Sequence, residues 1–98
     1  MRRLTKPISI IDLKRSGMGV ERHNRCFGRV LRSVRRERRL SQKDLAVRAG
    51  VDRTYISLLE LGKRSPTLES IVALAAALTV SLPALFAGLE AEIAHDGQ

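Results

Sequence analysis

A single cysteine, no tryptophan and only three aromatic side chains occur in the 98 residues. One thiol, Cys26, cannot close an internal disulfide, and with His23 and His95 far apart along the chain it offers no zinc-ligand spacing. Disulfide scaffolds and most metal modules are thereby excluded, no cofactor is called for, and the cysteine usage fits a reducing cytoplasm. With so few aromatics the core has to be aliphatic. No apolar run approaches the roughly 20 residues a helical membrane span needs, so no membrane association is expected. No apolar segment with a small-residue cleavage pattern follows the basic N-terminus, so no secretory signal is expected either. Lys and Arg are absent after Arg64.

What is present is enough for one small domain: 44% hydrophobic residues and a formal net charge of +8. The charge is unevenly placed. Residues 1–40 carry 13 basic and 3 acidic side chains, residues 41–64 carry 5 and 3, and residues 65–98 carry none and 4. Such polarity suits one face built for a polyanion and another kept clear of it. The run Arg35-Arg36-Glu37-Arg38-Arg39 taken alone reads equally well as a solvated helix face.

Residues 1–25 read as a basic, flexible N-terminal arm, residues 26–90 as the folded domain and residues 91–98 as a C-terminal tail. In the arm, Pro7, Gly17 and Gly19 interrupt helix, and Ile8-Ser9-Ile10-Ile11 alone hints at a strand. From Phe27 onward Phe27, Val30, Leu31 and Val34 form the stripe of an amphipathic helix that should end near Arg39. Ser41 is the N-cap signal of a second helix, with Asp44 placed as in a capping box and Gly50 as its stop. Asp52 opens a third helix running to about Leu61, and Gly62 stops it. A fourth begins at Ser65-Pro66-Thr67, with either Ser65 or Thr67 as cap, and buries Leu68, Ile71, Val72, Ala75 and Leu78. Ser81 caps a fifth, whose apolar set is Leu82, Leu85, Phe86 and Leu89. The fold class is all-α, a compact bundle of five short helices.

Helices two and three are separated only by Ala49-Gly50-Val51, the spacing of a helix-turn-helix. Ala46 is small enough for a close crossing, and Gly50 permits the sharp turn. At about 100° per residue, Ile56 and Leu59 point one way while Thr54, Ser57 and Leu61 point roughly opposite. A helix seated in the major groove presents side chains away from its own core and near its N-terminus, as Arg53, Thr54 and Ser57 are. Arginine suits a bidentate pair with guanine, and threonine and serine suit either base edges or a thymine methyl.

The ordered series Leu40-Ser41-Gln42, Leu45-Ala46, Gly50-Val51, Tyr55-Ile56-Ser57, Glu60-Leu61-Gly62-Lys63 and Pro66-Thr67-Leu68 resembles the xenobiotic-response-element family, which includes phage repressors, Cro proteins and restriction–modification controllers. The resemblance spans about Phe27 to Ala87 and implies a phage-repressor-like domain that binds operator DNA as a homodimer. By it, Arg53, Thr54, Ser57 and Leu58 are base contacts, and Gln42, Lys43, Tyr55, Lys63 and Arg64 are phosphate contacts. Arg35 and Glu60, each flanking the apolar stripe of its helix, correspond to an ion pair that orients helix three. The long basic arm, with Arg2, Arg3, Lys6, Lys14, Arg15, Arg22 and Arg25, departs from the commonest pattern. It suits wrapping DNA, entering a minor groove, or serving as a mobile solubilising tail.

The leading expectation is a sequence-specific transcriptional regulator, a repressor on an inverted-repeat operator in a bacterial or phage cytoplasm, associated with the nucleoid. Excess apolar surface on helix five, at Leu82, Leu85, Phe86 and Leu89, points to its homodimer interface. The alternative is a protein-interaction module, a bridging coactivator or antitoxin, with weak or nonspecific DNA binding. An enzyme is the least favoured class, since neither histidine falls in the packed region. No small-molecule ligand is indicated.

Overall fold

The computed structural model describes residues 19–96, which form five helices and, among the described residues, no strand. They are α1 (Gly19–Glu37), α2 (Gln42–Ala49), α3 (Arg53–Glu60), α4 (Leu68–Ala77) and α5 (Leu82–Asp96). α1 packs on α3 and α5, α2 on α3 and α4, and α4 on α5. The core joins Phe27, Val30 and Leu31 of α1 to Leu45 and Ala46 of α2, Ile56 and Leu59 of α3, Leu74 and Ala75 of α4, Leu78, and Leu85 of α5. It is aliphatic apart from Phe27.

Several helix boundaries follow directly from side-chain chemistry. Ser41 Oγ accepts from Asp44 N–H at 2.9 Å while the Asp44 carboxylate accepts from Ser41 N–H at 3.1 Å. That second bond, aided by the Ser41 hydroxyl, holds the Asp44 carboxyl below the usual carboxylate range. Thr67, not Ser65, caps α4: Thr67 Oγ1 accepts from Ser70 N–H at 3.0 Å, and Ser70 Oγ accepts from Thr67 N–H at 3.0 Å. Asp52 occupies the N-cap of α3, but its side chain makes no cap hydrogen bond.

Three expectations about extent and facing are corrected. α1 begins at Gly19, not Phe27, so Arg22 and Arg25 are helical rather than part of an arm. α5 runs to Asp96 instead of giving way to a tail at residue 91. The two extensions support each other: Arg22 Nε donates to Asp96 Oδ2 at 3.0 Å, and Arg29 bonds Glu92 Oε2 at 2.6 Å and Asp96 Oδ1 at 2.9 Å. Arg22 above all holds the Asp96 carboxyl low, and the hydrogen bond to Glu92 raises Arg29. Beneath this clamp Cys26 is buried, and burial followed by the Asp96 charge pushes its thiol up, away from reactive thiolate. On α4 the buried face is Ser70, Leu74 and Ala75, whereas Leu68 and Val72 are exposed. The remaining arm residues, with the Ile8–Ile11 stretch, lie outside the described residues.

The arginine run after Val34 divides by role. Arg38 Nε donates to Leu78 O at 2.7 Å and its NH2 to Thr79 O at 3.4 Å, placing positive charge at the C-terminal end of α4. Arg36 and Arg39 are exposed. The chain leaves α1 through Arg39 at φ 58° and leaves α4 through Thr79 at φ 53°, left-handed conformations that glycine adopts at lower cost.

Candidate nucleic-acid interface

α2 and α3 meet through the turn predicted for them. Gly50 takes φ 73°, and Val51 N–H reaches back to Ala46 O at 3.0 Å, which closes α2 and turns the chain at once. Ile56 and Leu59 then anchor α3 in the core with no exposure. Because α3 is short, this seating determines which side chains face outward. Arg53 and Thr54 in its first turn are exposed, and Ser57 and Leu58 are half-buried. Leu61, just past the helix, is exposed.

A chain of polar contacts runs from the core to Arg53. Arg35 Nε donates to Glu60 Oε2 at 2.6 Å and its NH2 to Glu60 Oε1 at 3.0 Å. The two side chains are only 10% and 4% exposed, so the pair is desolvated as well as bidentate. Arg35 NH1 donates to Leu40 O at 2.8 Å, and the hydrogen bond to Glu60 raises the guanidinium pKa, keeping it charged. Glu60 Oε1 also accepts from Gln42 Nε2 at 3.0 Å, and Gln42 Oε1 accepts from Arg53 NH1 at 3.1 Å. Gln42 is thereby fixed in orientation between an acceptor and a donor. One of its amide hydrogens is committed to Glu60, and the second is free to face a phosphate. Arg53 uses one N–H of its NH1 and keeps the Nε/NH2 fork, the geometry that matches guanine O6 and N7. Among the described residues no buried side-chain nitrogen or oxygen lacks a partner.

Residues 31–85 match the helix-turn-helix family model. The chain belongs to the helix-turn-helix family. Control protein C.MunI from a Mycoplasma species is 39% identical over 67 residues, covering 67% of this chain and 90% of that protein. The restriction-modification controller protein C.AhdI from Aeromonas hydrophila has a structure similar to this one, with a TM-score of 0.63 at 40% identity over 64% of this chain and 96% of that one. The controller C.Esp1396I, solved as a tetramer with its natural 35 base-pair operator, gives a TM-score of 0.69 at 34% identity over 72% of this chain and 93% of that one.

Within this helix-turn-helix unit the other expected contact residues fall unevenly. Lys43 is exposed in the first turn of α2, and Lys63 and Arg64 are exposed in the loop after Gly62. Arg64 also lies over the Tyr55 ring, 5.4 Å from its centroid. Tyr55 is half-buried, and its hydroxyl lies 2.9 Å from Ser70 Oγ, a contact in which either hydroxyl can donate. Tyr55 thereby links α3 to α4.

The expected dimer set needs revision. Leu85 is 1% exposed and belongs to the monomer core, and Leu82 and Leu89 pack partly against that core. Phe86 is 40% exposed. It lines a shallow groove of about 450 Å³ with Pro83, Ala87, Leu89, Glu90 and Ile93. The outer apolar surface of α5 thus follows Pro83, Phe86 and Ile93 rather than Leu85. Residue spacing did not separate these faces, because α5 is apolar nearly all round.

Two residues that shape the interface were not singled out from sequence. Gly28 sits where α1 crosses α3, and a Cβ there would lie 2.4 Å from Leu59 O. Its signal was available: a glycine directly inside an otherwise regular apolar stripe. Arg32 lines a small cleft of about 190 Å³ with Arg35, Gln42, Ser57, Glu60 and Leu61, beside the outward face of α3. Nothing local in the sequence distinguishes it from the arginines around it.

Proposed function

We propose that this DNA-binding transcriptional regulator reads an inverted-repeat operator as a homodimer and acts as a repressor. The observation that carries the reading is the presentation of Arg53: α3 is seated by Ile56 and Leu59, and Arg53 stands exposed at its start, oriented by Gln42. Arg53, Thr54, Ser57 and Leu58 read bases in the major groove. Gln42, Lys43, Lys63 and Arg64 hold the backbone on either side. The operator-bound tetramer of C.Esp1396I supports the assignment by likeness. Such a protein works in the cytoplasm on the nucleoid. No single helix among the described residues is both long and apolar enough to cross a membrane.

Selection of duplexes from a random pool tests this directly. The bound fraction should enrich for an inverted repeat with half-sites about one helical turn apart, ~34–36 Å. On the enriched duplex Arg53→Ala should lose roughly 5- to 150-fold in affinity per half-site, the fold equivalent of one bidentate guanine pair, with relaxed preference at a single position of each half-site. A pool that enriches nothing, or a complex insensitive to salt, would refute the reading. An interaction module would bind selected and random duplexes with little preference.

The second copy docks through the Pro83–Phe86–Ile93 face of α5. Phe86→Glu should weaken self-association by at least about 30-fold, the equivalent of losing one interface hot spot. Sedimentation should then show a monomer at concentrations where the parent is a dimer, with affinity for a two-half-site duplex reduced toward that for one half-site. Unchanged dimerisation would place the interface elsewhere.

A further inference from the structure

The six arginines of α1 fall into two groups by partner. Arg22 and Arg29 bond the acids of α5, and Arg35 bonds Glu60. Arg25, Arg32 and Arg36 are exposed, and among the described residues none of them has a carboxylate within ion-pair distance. At about 100° per residue, Arg32 and Arg36 lie within roughly 20° of Arg25 on the helix circumference. The three form one stripe, about 16 Å long at 1.5 Å per residue. Glu21 and Glu37 stand near its two ends. The α5 acids on its flank are already neutralised by Arg22 and Arg29.

We propose that this stripe is a second phosphate-binding surface, which lengthens the DNA footprint beyond the helix-turn-helix. Three contacts put it on the side of the molecule that faces DNA in the reading above, on which this inference rests. Arg32 shares its cleft with Gln42, Ser57 and Leu61, so it borders the outward face of α3. Arg25 packs against Gly62, where a Cβ would lie 2.7 Å from Arg25 Cγ, and so borders the loop carrying Lys63 and Arg64. Asn24 Nδ2 donates to Ser65 Oγ at 2.8 Å, tying the start of α1 to the end of that loop. An arginine row without acid partners, continuous with the recognition helix, gains by releasing counterions from a duplex backbone and carries no base preference. The same sorting leaves α5, which carries no lysine or arginine and whose Glu90 is exposed, clear of the polyanion.

The test uses the full chain and the duplex selected above. Arg32→Gln combined with Arg36→Gln should make the slope of log affinity against log salt shallower by about 1.8 per protomer, about 3.6 for the dimer, at 0.9 per phosphate contact. At 0.1 M salt the affinity should fall roughly 10- to 60-fold per half-site, equally for the selected duplex and for single-base variants of it. Arg32→Lys with Arg36→Lys should restore the slope, since a phosphate accepts a point charge. Arg48→Gln, an exposed arginine on α2, should leave the slope unchanged. Both stripe positions are on the surface, so thermal stability should hardly change, and a melt confirms that the fold persists. An unchanged slope with sequence preference intact would overturn the stripe while leaving operator binding standing. Loss confined to one base position would overturn it equally. If the parent protein enriches no duplex, the operator-binding reading fails first, and with it this inference.

Discussion

Gly28→Ala is expected to destabilise the protein by about 3 kcal/mol or more and to misplace the recognition helix. The opposing term is helix propensity, which favours alanine over glycine by about 1 kcal/mol in a helix interior. Sterics decides the sign. An alanine Cβ would lie 2.4 Å from Leu59 O and 2.5 Å from Glu60 O, both backbone atoms with no rotamer to retreat into. α1 and α3 would have to separate, opening the core at Ile56 and Leu59 and pulling Glu60 from Arg35. Urea denaturation should show the loss, and any molecules still folded should bind the selected duplex weakly. Gly88→Ala is the internal control: its Cβ meets only Val30 Cγ1 at 3.3 Å, a single side-chain methyl that need give only a few tenths of an ångström, and should change stability little. A Gly28→Ala protein as stable as its parent would show that the two helices do not cross this closely.

The second large effect concerns the buried pair. Glu60→Ala leaves the Arg35 guanidinium desolvated opposite a void, and removing one partner of such a pair costs about 3–5 kcal/mol. For a domain of this size that corresponds to a fall in Tm of about 12 °C or more. Arg35→Ala strands the carboxylate and should cost a similar amount. Replacing both, as Arg35→Met with Glu60→Leu, removes both charges together and should recover most of the stability. The double variant nonetheless lacks the oxygen that holds Gln42, and Gln42 in turn orients Arg53. It should therefore fold well and discriminate guanine poorly at the Arg53 position. Equal discrimination by the double variant and the parent would show that the pair serves stability alone.

The balance between sequence and structure can be judged from particular elements. Ser41 with Asp44, and Gly50 after Ala49, carry their local hydrogen bonds and backbone conformation in the residue types themselves, and α2 and the turn form where those residues stand. The α1 stripe marked the helix but not its start: Gly19 and scattered charge read as an arm. The helix continues there because Arg22 and Arg29 find Glu92 and Asp96, more than 60 positions away in the chain. Arg39 and Thr79 adopt left-handed turns that no glycine announces.

At the site itself the sequence alone determined that α3 offers Thr54 and Ser57 away from Ile56 and Leu59, with Arg53 at its N-terminal end, because helical periodicity is a local property and burial selects the apolar side. It also placed Arg35 and Glu60 beside their stripes. Only the tertiary structure decided how groups were shared: that Gln42 spans Glu60 and Arg53, that the Tyr55 hydroxyl meets Ser70, that Leu85 faces inward and Phe86 outward, and that Gly28 sets the α1–α3 distance. Each of these depends on the crossing of two helices distant in sequence. A hydrogen bond or a steric contact exists only once the crossing has brought its atoms to within about 3 Å, and no single segment's composition encodes that distance.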